Sequence, residues 1–186
     1  MHHYISTYDN LLTKEYCNEL IDKFETNTQC HSREKNAHGE WLMSFSQINF
    51  FKHDIFKDDM QKLDGIFRQA VNQYVKDNNI QDGQWPSKFR FEQIRMKRYN
   101  PQTPDRFDLH VDVTDHDSAR RFLVVFFYLN DDFEGGETDF PQLNTKAIPK
   151  PGRLIMFPPM WAWWHKANPI LSGRPKYIVG TLLHYV

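Results

Sequence analysis

A chain of 186 residues with 40% hydrophobic and 15% aromatic content is long enough to bury a substantial core as one globular domain. Its formal net charge of -1 gives no electrostatic reason to expect nucleic acid or an anionic membrane as partner, and no segment approaches the ~20 apolar residues that span a bilayer. Cys17 and Cys30 are too few for a disulfide framework and do not accompany the histidines at zinc-finger spacing, so a reducing, cytoplasmic setting is expected; the start, Met1-His-His-Tyr-Ile, lacks the apolar run of a signal peptide.

Along the chain, Leu12, Tyr16, Leu20 and Phe24 fall on one face of a helix predicted over 10–24, with Thr13 near its N-terminal cap. Glu25 to Trp41 is polar and reads as a loop, a candidate lid over an active site. Ser44 to Phe51 alternates like a strand. Ile55 to about Asn78 carries Met60, Leu63, Ile66, Phe67, Ala70, Val71 and Tyr74 at helical spacing.

From Phe89 onward the character changes to short strands separated by Pro, Gly and Asn. Phe89 to Tyr99 is a strand whose alternation slips near Glu92 and Gln93, as at a bulge. Arg106 to Val113 alternates strictly. Arg121 to Leu129 is apolar on both faces and predicts a central strand. Gly135 and Gly136 permit positive φ in the loop that follows. Further strands are predicted over 153–157, 161–166 and 176–185. Helices first and about eight antiparallel strands after them predict an α+β fold: a double-stranded β-helix, or jelly-roll, with N-terminal helices packed on one sheet. On this reading 1–186 is a single domain, with 1–88 as helix-rich support and 89–186 as the jelly-roll core.

The chemistry-bearing stretch is Arg106 to Val113. His110 and Asp112 alternate with Leu109, Val111 and Val113, which would project imidazole and carboxylate from one strand face. They supply two ligands of a 2-His-1-carboxylate site, the arrangement that leaves half of an octahedral Fe(II) open. His-x-acid is a weak motif by itself. His38-Gly-Glu40 is a rival, in a run without strand periodicity. His165, on a late strand, is the natural third ligand, although a lone histidine beside Trp163 and Trp164 is more often a buried structural one. Trp161, Trp163 and Trp164 read as packing residues of core and barrel rim rather than a substrate wall.

Taken together, the elements from about Gln93 to Val186 resemble the prolyl 4-hydroxylase type of Fe(II)/2-oxoglutarate-dependent oxygenase. They are Arg98-Tyr99, His110-x-Asp112, Phe127-Tyr-Leu-Asn-Asp131, Gly135-Gly-Glu-Thr-Asp-Phe140, Pro149-Lys-Pro-Gly152 with Phe157, His165, and Gly173 through Lys176-Tyr177, in the family's order. The resemblance implies a dioxygenase that binds Fe(II) through His110, Asp112 and His165, uses 2-oxoglutarate and O2, releases succinate and CO2, and hydroxylates a C–H bond, with L-ascorbate as activator. The intact Asp112 argues against the related halogenases.

For the distal carboxylate of 2-oxoglutarate the family uses a cation after the distal histidine. Arg174 stands nine residues after His165 and Lys176 eleven after. Lys176 is preferred because Lys-Tyr opens a strand, whereas Arg174 precedes Pro175. The resemblance also implies that Tyr128 shares the distal carboxylate and Tyr99 lines the pocket. It favours a peptide or protein substrate hydroxylated on proline. A lysyl or free amino acid hydroxylase is the alternative within the same chemistry, and a non-catalytic metal- or carbohydrate-binding jelly-roll the alternative outside it.

Overall fold

The computed structural model describes residues 4–33 and 45–186. In chain order its elements are β1 (Ser6–Tyr8), α1 (Lys14–Thr26), β2 (Ser46–Asn49), α2 (Lys57–Asp77), β3 (Phe89–Phe91), β4 (Arg95–Tyr99), β5 (Phe107–His110), β6 (Arg121–Tyr128), β7 (Phe133–Gly135), β8 (Thr138–Phe140), β9 (Thr145–Ala147), β10 (Leu154–Phe157), β11 (His165–Ala167), β12 (Ile170–Gly173) and β13 (Lys176–Tyr185). The candidate lid is described only as far as Arg33, where Ser32 bridges Gln47; the remainder, with His38 and Glu40, lies outside the described residues. No helix among the described residues is long and apolar enough to cross a membrane.

All strand pairings are antiparallel. The large sheet runs β1-β10-β6-β13-β4-β2, with β3 also on β13; a smaller sheet runs β5-β11-β8-β9, and β12 pairs β7. Side-chain parity explains the layering. On β6, Leu123, Val125 and Phe127 join the core shared with the helices, while Val124 and Tyr128 join a second core with Phe140 and Ala147 of the small sheet. The apolar run Arg121–Leu129 is thus covered on both faces, and β6 is central as its composition requires.

The helices seal the outer face of the large sheet. Thr13 caps α1 by accepting from the Tyr16 N–H at 3.2 Å, so the helix begins at Lys14 rather than Asn10. Asp59 in the first turn of α2 accepts from Tyr16 Oη at 3.0 Å and from Lys23 Nζ at 2.6 Å, tying the two helices together. Phe67 of α2 stacks on Phe127 of β6 with centroids 5.4 Å apart and both rings fully buried. A buried phenylalanine contributes about 1.5–3 kcal/mol from area alone, so this pair anchors the helical layer.

Three strand boundaries differ from the sequence pattern. The alternation of 106–113 continues past His110, but β5 stops there because its partner β11 begins opposite it, at His165, and the ladder ends with that pair. The segment 161–166 is mostly not a strand: Trp161–Trp163 form one 3-10 turn before β11, since Pro158 and Pro159 interrupt the ladder after β10. Residues 89–99 are two strands, β3 and β4, both paired with β13. Where they part, the Glu92 N–H donates to the Leu182 carbonyl at 2.8 Å, the interruption that the slipped alternation announced.

Candidate active site

Antiparallel pairing of β5 with β11 sets His110 opposite His165, with ring centroids 4.3 Å apart. Asp112 lies beyond the strand end and is pinned from both sides. Its N–H donates to the Pro159 carbonyl at 3.0 Å, and its carbonyl accepts from Arg121 Nη1 at 3.1 Å. Arg121 is itself held by both carboxylate oxygens of Glu92, at 2.7 and 3.1 Å. The Asp112 carboxylate reaches both rings: Oδ1 is 3.8 Å from His110 Nε2 and Oδ2 3.5 Å from His165 Nε2. One ligand atom from each of the three residues lies within 4.8 Å of the others.

The protonation states follow from the neighbours. His110 Nδ1 lies 2.6 Å from the Asp108 carbonyl and His165 Nδ1 2.9 Å from the Trp163 carbonyl. Carbonyls only accept, so each Nδ1 carries the proton and each Nε2 keeps its lone pair. Burial lowers the His110 pKa to about 4, helped by His165 beside it, and burial likewise lowers that of His165. Both rings are therefore neutral near pH 7, and neither Nε2 can donate to the carboxylate between them. Asp112 Oδ2 is buried without a hydrogen-bond partner. A buried carboxylate oxygen left unpaired is costly, and two imidazole lone pairs beside it make a divalent cation the fitting partner. Two histidines and one carboxylate suit non-haem Fe(II).

These residues open into a cavity that Lys176, Tyr99, Lys97 and Thr138 also line. Lys176 opens β13 with its side chain on the inner face, and the residue is 1% exposed. Its Nζ donates to the Gly136 carbonyl at 2.7 Å and lies 4.8 Å from the centre of the Tyr99 ring. Gly136 has φ +72°, and a Cβ there would approach Ile170 Cδ1 to 2.6 Å, so only glycine brings that carbonyl over the ammonium. Burial pushes the Lys176 pKa down to about 7, against an upward pull from Glu137. With one hydrogen bond to its ammonium among the described residues, Lys176 has donor capacity left for an anion.

The other sequence candidates fall differently. Arg174 sits in the turn before β13, its side chain 66% exposed and paired with Asp132 at 3.1 Å, outside the cavity. Tyr99 lines the cavity directly. Tyr128 is fully buried behind the lining and donates to Thr138 Oγ1 at 2.6 Å, so its link to the cavity runs through Thr138. The tryptophans are not core: Trp161 is 80% and Trp164 40% exposed, while the Trp163 carbonyl orients His165. Arg121 had no signature of its own in the sequence, Glu92 only its place at the slipped alternation and Thr138 only its place in the Gly135–Phe140 motif.

The sequence model of the 2OG-Fe(II) oxygenase superfamily matches residues 94–184, a stretch that contains His110, Asp112, His165 and Lys176. That stretch is just under half of the chain, and over it the chain resembles this superfamily. A curated relative, the putative prolyl 4-hydroxylase of Acanthamoeba polyphaga mimivirus, is 42% identical over 59 residues, which span 31% of this chain and 24% of that relative. Among solved structures, the viral collagen prolyl hydroxylase of Paramecium bursaria Chlorella virus-1 superposes with TM-score 0.71 at 24% identity, over 98% of this chain and 96% of that one. A Trichoplax adhaerens prolyl hydroxylase, solved with a hypoxia inducible factor oxygen degradation domain peptide fragment, gives TM-score 0.70 at 15% identity over 97% and 84%. The structural likenesses establish a jelly-roll fold spanning nearly the whole chain.

Proposed function

We propose that this protein is an Fe(II)- and 2-oxoglutarate-dependent dioxygenase that hydroxylates peptidyl proline, releasing succinate and CO2. One observation carries the reading: the unpaired, buried Asp112 Oδ2 facing two imidazole lone pairs, in the cavity that also holds the buried Lys176. Each half alone has structural uses; together they match a metal and a dicarboxylate bound side by side.

In this reading His110, Asp112 and His165 hold Fe(II), which with 2-oxoglutarate and O2 supplies the oxidising chemistry. The chain's own residues do the rest. Carbonyls of Asp108 and Trp163 fix the imidazole tautomers, and Arg121 and Pro159 hold Asp112 in reach of both rings. Lys176, with Thr138 and Tyr99, receives the distal carboxylate, where little water competes for it. Tyr128 orients Thr138 rather than meeting the cosubstrate. Residues 89–186 form the catalytic core and 1–88 its support, within one domain. A peptide substrate is supported by the Trichoplax relative, which was solved with a peptide. Ascorbate as activator and a cytoplasmic location complete the proposal.

The test is succinate formation with Fe(II) and 2-oxoglutarate, each omitted in turn, followed by mass spectrometry of proline-containing peptides for a 16 Da gain. Succinate that formed equally without iron would overturn the enzymatic reading. A gain on free lysine, proline or peptidyl lysine with none on peptidyl proline would move the assignment to the alternative substrate.

A further inference from the structure

The inner face of β13 does not end with the cavity. Lys176, Ile178, Gly180 and Leu182 line it at successive alternate positions, and the next alternate residue, His184, lines a second, polar groove. Gln93 and Arg95 line both hollows, so they form one trough. Arg95 sits opposite Gly180, and His184 sits between Arg90 of β3 and Arg121 of β6. From Gly180 to His184 is about 13 Å of strand, or about four residues of an extended peptide.

The charges in the outer groove are unequal in availability. Arg121 is neutralised by Glu92. Asp115 is occupied internally, its Oδ1 accepting from the Ser118 N–H at 2.8 Å and from Ser118 Oγ at 2.7 Å. Asp117 is fully solvated and within 3.7 Å of His116. Arg90, Arg95 and Arg120, in contrast, have no carboxylate partner among the described residues, and Arg90 and Arg120 are exposed. Three guanidinium forks with unused donors thus stand along a groove that shares Gln93 and Arg95 with the cavity lined by His110, Asp112 and His165.

We propose that this groove reads an acidic side chain on the peptide substrate, within about four residues of the hydroxylated position, through Arg90, Arg95 and Arg120. The proposal rests on the peptide-hydroxylase reading and deepens it. Guanidinium forks match carboxylates in geometry as well as charge, and rim charges act on encounter and register more than on chemistry. The effect belongs in KM and kcat/KM rather than in kcat.

The experiment uses synthetic proline-rich peptides, identical except for one flanking position occupied by Glu, Gln or Lys and walked over four residues on either side of the proline. Hydroxylation is followed by mass and succinate is measured in parallel. The Glu peptides should exceed the Gln peptides in kcat/KM by about two- to fivefold at the best position and the Lys peptides by more, as exposed ion pairs allow. The advantage should shrink as salt rises. The double variant R90Q/R120Q should lose it, while its succinate release without peptide reports an intact fold and cosubstrate site. Equal rates on Glu and Gln peptides, a preference for Lys, or an advantage that survives in R90Q/R120Q would each overturn the groove assignment and leave the hydroxylase standing. Succinate release with no peptide modified at any flank would overturn both.

Discussion

His165 and His110 form a cross-strand pair, each with its Nδ1 against a main-chain carbonyl two residues before it in sequence. The pair is therefore oriented before any metal arrives, and Asp112 is brought to it by contacts outside the ladder. A site formed in advance gains stability on binding by mass action. At a metal concentration of 100 times Kd this is about 2.7 kcal/mol, and Tm should rise by about 5–10 °C for a chain of this size. Thermal melts with Co(II) or Fe(II), and again after chelation, check it. D112A should abolish the rise; a variant that kept it would remove Asp112 from the site.

The two cations near the start of β13 are predicted to differ sharply. Lys176 is buried and Arg174 mostly exposed. Removing a cation that meets a desolvated carboxylate costs about 3–5 kcal/mol, whereas a hydrated rim pair contributes about 1 kcal/mol or less. K176A should raise the 2-oxoglutarate requirement by two orders of magnitude or more, and R174A by less than about tenfold. Succinate formation against 2-oxoglutarate concentration, with iron saturating, measures both. The reverse ranking would place the anchor at Arg174.

Lys176 also makes a pH prediction. Its folded pKa is about 7 against an ordinary 10.5, so between these values the unfolded chain binds a proton that the folded chain does not. This group's contribution to stability accordingly rises with pH from about 7 to 10.5 and is least favourable below 7. K176M should be more stable than the parent at pH 6.5 by urea denaturation, with the advantage shrinking by pH 9.5. A dicarboxylate favours the charged lysine, so 2-oxoglutarate binding at pH 8 should take up a proton. Calorimetry in two buffers of different ionisation enthalpy would show it, and identical heats would count against the lysine as anchor.

Gly180 faces Phe126 across β13 and β6, and a Cβ there would stand 2.2 Å from Phe126 Cβ and 2.4 Å from the Val125 carbonyl. G180A should destabilise the fold by about 1–3 kcal/mol through overpacking, lowering Tm by about 3–10 °C. Phe126 lines the cavity, so the same variant should also weaken 2-oxoglutarate binding. An unchanged Tm would mean that the two strands separate more easily than their packing suggests.

The parts legible in the sequence were those governed by periodicity and turn chemistry. The 3.6-residue pattern located α2 to within two residues, the apolar run placed β6 in the middle of its sheet, and Gly135 and Gly136 do take φ of +81° and +72°. His110, Asp112 and His165 converge, yet the reason inferred for Asp112 was a continuing strand, and the structure holds it instead by Arg121 and Pro159. Such contacts join residues distant in sequence, and nothing in local pattern encodes them. Tyr128 illustrates the same limit: its residue type suits a cosubstrate contact, and the hydrogen bond its hydroxyl donates to Thr138 is a tertiary relationship that no local pattern encodes.

Because one face of β13 carries both the ammonium at the inner end and the arginine-flanked His184 at the outer end, that strand is a ruler with coarse graduations. Its side chains share a face only every second residue, and a slip of one would turn the whole set toward the helices. The span between the two ends can therefore change by about 7 Å at a time or not at all. Finer adjustment of reach must come from side-chain length at fixed positions. At position 176 a lysine, long and slender enough to pass Gly136, is the residue present.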